Sequence, residues 1–218
     1  MIETIVTGMD AHPTRMALIR AALQQFGRGG FEAASTRAIA AGAGTNISSI
    51  AYHFGGKDGL RLACADAVAE RVEHVARPLP AGPGVMDSVR ARLLLRRLVR
   101  RIVTFMILSP GASDAVAFVL RELAQPGSPV LDRLYATLIE PRHHALCALW
   151  SAATGTPAES EEVKLAVFSL VGQAVYFRIA APIVQRRMGW RHYARPEARA
   201  ITRRMLTNLD RMIGDGHG

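Results

Sequence analysis

Residues 31 to 57 carry hydroxyls, glycines and aromatics in an order that leaves the chain few ways to fold. They run Phe31-Glu32-Ala33-Ala34-Ser35-Thr36-Arg37-Ala38-Ile39-Ala40-Ala41-Gly42-Ala43-Gly44, then Thr45-Asn46-Ile47-Ser48-Ser49-Ile50-Ala51-Tyr52-His53-Phe54-Gly55-Gly56-Lys57. A hydroxyl at Ser35 or Thr36 can accept from an orphan backbone amide and start a helix over 37–41. Gly42 and Gly44 supply a turn. Asn46 caps a further helix over 47–53, which Gly55 and Gly56 break. Two short helices joined by a tight turn imply a helix-turn-helix, and with it the reading of DNA.

The chain continues well past that motif. At 218 residues it exceeds what a lone DNA-binding module needs and can bury a substantial second core. Half the residues are apolar, and strictly alternating β-branched runs are scarce, which favours helices. Cys64 and Cys147 form no C-x-x-C pair, so neither a disulfide framework nor a zinc site is expected, and a cytoplasmic setting is. No secretory signal is apparent at the start. The most apolar stretch, 163–184, is interrupted by Lys164, Gln173, Arg178 and Pro182, which argues for a buried helix and against a membrane span.

The formal net charge of +9 invites a nucleic-acid reading, yet its distribution does not locate the site. Residues 1–77 hold eight Lys or Arg against seven Asp or Glu, so they carry +1 and the remaining +8 lies beyond.

Apolar residues at three and four spacing predict a first helix over 14–26, ended by Gly27, Gly29 and Gly30, with Phe31 plugging a small core. A fourth helix opens at Lys57 or Asp58 and runs to about residue 76. The breaker cluster 77–84, rich in Pro and Gly, marks a boundary beyond it. Helices are then predicted at 85–109, 113–125, 129–154, 159–187 and 196–213, with Pro141 and Pro182 inside two of them and expected to kink them or mark their ends. The expectation is an all-α chain of about nine helices. A three-helix helix-turn-helix domain over 1–60 would precede a helical ligand-binding and dimerisation domain over 61–218.

A recognition helix must be slim enough for the major groove, with exposed polar groups near its start. Thr45, Asn46, Ser48 and Ser49 are small and polar, Ile47 can meet a thymine methyl, and Ala51 keeps the helix narrow. Tyr52 and His53 can reach phosphate through hydroxyl and imidazole. Thr36 can offer phosphate its hydroxyl and the amides of a helix start, and Lys57 can neutralise another. Ile39, Ala40, Ala43 and Ile50 serve as internal packing.

These residues carry a resemblance. Phe26-x-x-x-Gly30-Phe31, Thr36-Arg37-x-Ile39-Ala40-x-x-Ala43-Gly44 and Ser49-Ile50-x-Tyr52-His53-Phe54-x-x-Lys57-x-x-Leu60 resemble the N-terminal domain of TetR-family transcriptional regulators over residues 14–65. Arg121-Glu122-Leu123-Ala124-Gln125-Pro126, with the helix through Ile139-Glu140-Pro141, is similar to the CerR-like branch of their ligand domains. Ser48 and Ala51 depart from the family, whose members often have glycine and a second aromatic there; that bears on base preference. The resemblance implies a homodimer that binds a palindromic double-stranded operator and releases it when a small-molecule effector enters the C-terminal domain. It implies no catalytic residue, cofactor or metal.

The resemblance also implies an effector pocket, for which Phe105, Phe118, Arg121, Glu122, Tyr135, His143, Trp150, Phe168, Gln173 and Tyr176 are candidates. Aromatic residues at helical spacing are more commonly plain core. Arg90, Arg92, Arg96, Arg97, Arg100 and Arg101 share one predicted helix and read more simply as a solvated face than as a second anion-binding surface. Glu140-x-x-His143 has the spacing of a di-iron ligand pair but no second copy. The apolar 163–181 segment, with Ile201, Leu206, Leu209 and Met212, suits a dimer seam through the last two helices. Two rival readings stay open: a DNA-binding regulator that senses no ligand or that activates, and an all-helical enzyme carrying an incidental helix-turn-helix.

Overall fold

The computed structural model describes residues 3–76 and 86–214. The predicted boundary cluster at 77–84 lies outside the described residues. Every regular element among them is helical: α1 (Glu3–Ala33), α2 (Thr36–Gly42), α3 (Ser48–Phe54), α4 (Lys57–Ala76), α5 (Ser88–Leu108), α6 (Ala112–Leu123), α7 (Pro129–Leu134), α8 (Glu140–Thr154), α9 (Glu161–Ile179), α10 (Ala181–Met188) and α11 (Arg195–Met212). The all-helical expectation holds. Two predicted helices are each divided at a proline. Pro141 sits in the first turn of α8 and is preceded by a π-helical turn, Tyr135–Ile139, because proline has no N–H to donate and its ring crowds the preceding turn. Pro182 opens α10 in the same way, after Ala180 ends α9. At the other end α1 continues past residue 26 and breaks at Gly30, whose φ of 79° and ψ of 177° are not helical.

The chain forms two compact units: Met1–Arg71 with Asp114–Thr137, and Val72–Ser113 with Leu138–Gly218. The first is built on α1, whose Leu18, Ile19, Ala22 and Phe26 are buried. Ile39 and Ala40 of α2, Ile50 of α3 and Leu60 of α4 complete the small core. Ser35 caps α2 by accepting from the Ala38 amide. Phe26 lies 5.7 Å from Phe31 and 6.2 Å from Phe118, ring centre to ring centre, so α6 supplies part of the same interior. Gly27 permits that approach: a Cβ there would lie 3.1 Å from the Ala117 Cβ and 3.3 Å from the Asp114 carbonyl oxygen.

One buried polar cluster closes this unit. Arg61 is 5% exposed and Glu122 2%. Arg61 Nε donates to Glu122 Oε1 at 3.0 Å and Nη2 to Oε2 at 2.6 Å, a bidentate pair. Nη2 also donates to Gln125 Oε1 at 2.8 Å, and Ser128 Oγ donates to Glu122 Oε2 at 2.5 Å. The Arg61 guanidinium lies 4.3 Å from the Phe31 ring centre. Two charges taken from water are costly unless further hydrogen bonds support them, and here Gln125 and Ser128 supply such bonds. Beside it, burial and the Glu122 charge push the Cys64 thiol far above its ordinary pKa, so Cys64 is an inert core group.

The second unit is organised around α5, against which α8, α9 and α11 pack. Leu95, Val99 and Val103 of α5 meet Trp150, Val163, Val167, Met205 and Leu209 in one apolar core. Several α5 arginines do more than face solvent. Arg92 donates to the carbonyls of Ala153, Ile213 and Gly214, so one guanidinium serves the C-terminal ends of both α8 and α11. Arg96 pairs with Asp210, and Arg101 Nη2 donates to the His74 carbonyl at 2.7 Å.

Removing one partner of the buried pair leaves the other charge stranded. Arg61→Ala and Glu122→Ala should each lower the unfolding free energy of the full-length protein by about 3–5 kcal/mol. Arg61→Met combined with Glu122→Leu should recover most of that loss, as read by chemical denaturation.

Candidate nucleic-acid interface

The helix-turn-helix forms where the caps and glycines place it. Gly44 turns the chain with a φ of 66°. Asn46 Oδ1 accepts from the Ser48 amide at 3.0 Å and so opens α3, one residue later than predicted. The half-buried hydroxyls of Thr45 and Ser49 hydrogen-bond to each other at 3.0 Å, which ties the turn to the first turn of α3. Ile50 points into the core. The opposite side of α3 is open: Asn46, Ile47, Ser48, Ala51 and Tyr52 are all exposed, Tyr52 at 75%. This strip mixes donors and acceptors with an apolar surface, and it is slim at Ala51. Those are the properties that reading base edges requires.

The flanking candidates are less free. His53 is half-buried, set edge-on to Tyr52 at 4.9 Å and 6.0 Å from the Phe54 ring. Thr36 is half-buried in the first turn of α2. Lys57 Nζ donates to the Glu32 carbonyl at 3.3 Å and sits 4.5 Å from the Phe31 ring centre. An ammonium has three N–H donors, so a phosphate can engage Lys57 while the Glu32 bond persists.

Two further residues bear on this surface. Arg37, beside Thr36, is the exposed cation of α2, and its charge at a helix start was the available signal. Gly59 is structural: a Cβ there would come within 1.8 Å of the Phe54 carbonyl oxygen. Only glycine lets α4 begin directly after α3, and nothing in local spacing announces it.

The ten residues expected at an effector pocket are divided between the two units, with Phe118, Arg121, Glu122 and Tyr135 in the first and the other six in the second. Phe118 and Glu122 lie in the interior of the first unit, and Arg121 donates to the Arg28 carbonyl at 3.0 Å. Trp150 is core in the second unit. Gln173 accepts from Asn208 at 2.7 Å, while Tyr135 and Tyr176 are exposed. His143 stacks on Phe168 at 4.1 Å. The His143 Nε2 faces the Lys164 carbonyl at 3.2 Å, which can only accept, so that nitrogen carries the hydrogen; Nδ1 then faces the Cys147 thiol at 3.6 Å. Burial, followed by the Glu159 charge, raises the Cys147 thiol pKa. Phe105 lines an open cavity of about 440 Å³ in the second unit, with His74, Val75, Arg100, Arg101 and Leu108.

Comparison with known proteins bears on both parts of the chain. Residues 18–64 match the profile described as bacterial regulatory proteins, tetR family. Residues 91–215 match the C-terminal domain of the HTH-type transcriptional dual regulator CecR. Over 203 residues the chain is 31% identical to CecR of Shigella flexneri, covering 90% of this chain and 89% of that one. The chain belongs to the TetR family. It is a DNA-binding transcriptional regulator of that family, whose members bind operator DNA, usually as dimers. It is 52% identical to the regulatory protein RaaS of Mycobacterium tuberculosis over 64 residues, 29% of this chain and 30% of the other. The TetR-family fold is shared with AibR, solved in complex with isovaleryl coenzyme A and operator DNA, at a TM-score of 0.63 and 16% identity, covering 89% of this chain and 97% of that one.

Tyr52 and Lys57 are expected to hold phosphate in different ways. Tyr52→Phe should weaken operator binding by roughly tenfold, the worth of a hydrogen bond to a charged group, without changing the salt dependence. Lys57→Met should weaken binding and also reduce the salt slope by about one. Titrations at several salt concentrations measure both. Gly59→Ala should lower thermal stability and operator affinity together, because the Phe54 carbonyl must move.

Proposed function

We propose that this protein is a ligand-responsive repressor that binds a palindromic operator as a homodimer and releases it when a small molecule binds. The observation that carries the DNA half is the open strip of α3, Asn46 to Tyr52, raised on a fully packed scaffold. Thr36, Thr45, Asn46, Ile47, Ser48, Ser49, Tyr52, His53 and Lys57 make the contacts, with base edges read from the start of α3 and phosphates held at its flanks. Two such helices enter successive major grooves about 34 Å apart. The protein works in the cytoplasm, beside the chromosome.

Support for the dimer comes from α9. Its Val163, Val167, Leu170 and Ala174 face the core of its own unit. Its other side shows Leu165 (58% exposed), Phe168, Gly172, Tyr176 and Ile179, and Ile183 of α10 (68% exposed) extends the stripe. An apolar stripe of that length needs a partner, and a two-fold axis supplies the same stripe from a second copy. Ile201, Leu206 and Leu209 of α11, expected in the seam, are buried in the unit's own core because α11 turns its apolar face onto α5. Met212 remains exposed, and α11 flanks the seam beside α9.

Ligand response is supported by the likeness in fold to AibR, solved in complex with isovaleryl coenzyme A and operator DNA. The ligand acts only through its differential affinity for the DNA-binding and non-binding forms of the dimer. A second reading, regulation in both directions, is favoured by the designation of the Shigella flexneri relative as a dual regulator.

The test uses DNA flanking the protein's own gene. A palindromic segment there should be protected in a salt-sensitive manner; absence of any protected segment sinks the repressor reading. Leu165→Glu with Ile183→Glu should yield monomers by sedimentation and lose roughly a hundredfold in operator affinity, since bivalent binding is gone.

A further inference from the structure

The open cavity of the second unit has a chemistry of its own. It lies where the last turn of α4 meets the outer strip of α5, which carries Arg100, Arg101, Phe105 and Leu108. The inner face of α5, with Leu95, Val99 and Val103, packs into the core, while this outer strip lines the cavity. Two guanidiniums and the His74 imidazole mark one part of the cavity. Phe105, Leu108 and Val75 add apolar surface, and Thr104 and Ser109 complete the lining. No carboxylate appears among the described residues that line it. Glu73, one position before His74, is paired with Arg142.

We propose that this cavity binds an amphipathic oxyanion. A carboxylate or phosphate head is held by Arg100 and Arg101, and an apolar tail lies along Phe105, Leu108 and Val75. Arg101 commits one of its five N–H donors to the His74 carbonyl and keeps others available. Arg100 is exposed, and its guanidinium engages no group among the described residues. The C-terminal end of α4 opposes an anion with roughly half a negative charge. Arg101 already caps that end, and two full positive charges outweigh it. A cavity of about 440 Å³ is of the size that drug-sized ligands fill. An alcohol or amine of the same tail would leave the guanidiniums unpaired or repelled. The proposal rests on the effector-responsive reading above and names the class of effector.

The test titrates octanoate, octyl phosphate, octanol and octylamine against the full-length protein by calorimetry, below the concentrations at which they aggregate. One or both anions should bind saturably, one per protomer, and roughly tenfold or more tighter than the alcohol and the amine. Preference for octanoate identifies a carboxylate head, and preference for octyl phosphate a phosphate ester. Arg100→Gln, at an exposed position, should abolish that preference while leaving thermal unfolding without probe unchanged. Leu108→Glu should weaken both anions by placing a like charge at the tail side. Equal binding of all four probes, or anion binding indifferent to both variants, overturns the assignment. Operator release is read in parallel on labelled operator DNA. Anion binding without release keeps the cavity as an oxyanion site and removes the effector reading. Release by a compound whose binding ignores both variants does the reverse.

Discussion

A guanidinium sealed from water at Arg61 must be met by a carboxylate, and the one that meets it, Glu122, stands 61 positions further along the chain. Much of the first unit follows from that requirement. The pair draws Gln125 and Ser128 around it, and Ser128 in turn accepts from the Val130 amide to start α7. It also places the guanidinium against Phe31, whose ring faces Phe26 and, from another side, the Lys57 ammonium. The helices beneath the open strip of α3, α1 and α4, are therefore held by contacts contributed from residues 114–137 as well as from their sequence neighbours. In this TetR-family regulator the compact unit that contains the helix-turn-helix also contains residues 114–137. Its polar keystone is borrowed from downstream.

The local devices were legible in the sequence because their causes are local. Ser35 and Asn46 accept from amides two or three residues away, and Gly44 and Gly55 occupy turns that flank them. The residues of the open α3 strip could be named for the same reason. What could not be read depends on partners far off in the chain. Glu122 looks like a polar orienter among aromatics until its own cation is known. Lys57 could be named as a cation at a helix start, but not its bond to the Glu32 carbonyl or its place beside the Phe31 ring. Gly59 carries no motif, and its necessity comes from the Phe54 carbonyl. On α11, apolar residues could be counted but not aimed, since periodicity does not tell which neighbour a face will meet.

The arginines of α5 show how the excess positive charge of the chain is used. Helix ends expose carbonyls that no residue of the same helix can satisfy. Arg92 spans two such ends, and Arg101 a third. Planar, multiply donating guanidiniums suit that task better than a lysine ammonium would. A good part of the charge that composition would assign to nucleic acid thus serves as mortar between helices. Where it does not, at Arg100, the cation borders an apolar cavity.

The distance in sequence between Arg61 and Glu122 also bears on biosynthesis. A chain leaves the ribosome from its N-terminus, so α1 to α4 emerge well before the carboxylate that neutralises Arg61. Until the stretch through Ser128 has cleared the exit tunnel, that guanidinium can only remain hydrated, and the interior around Phe31 cannot close. The first unit can therefore be completed only after more than half the polypeptide has been made.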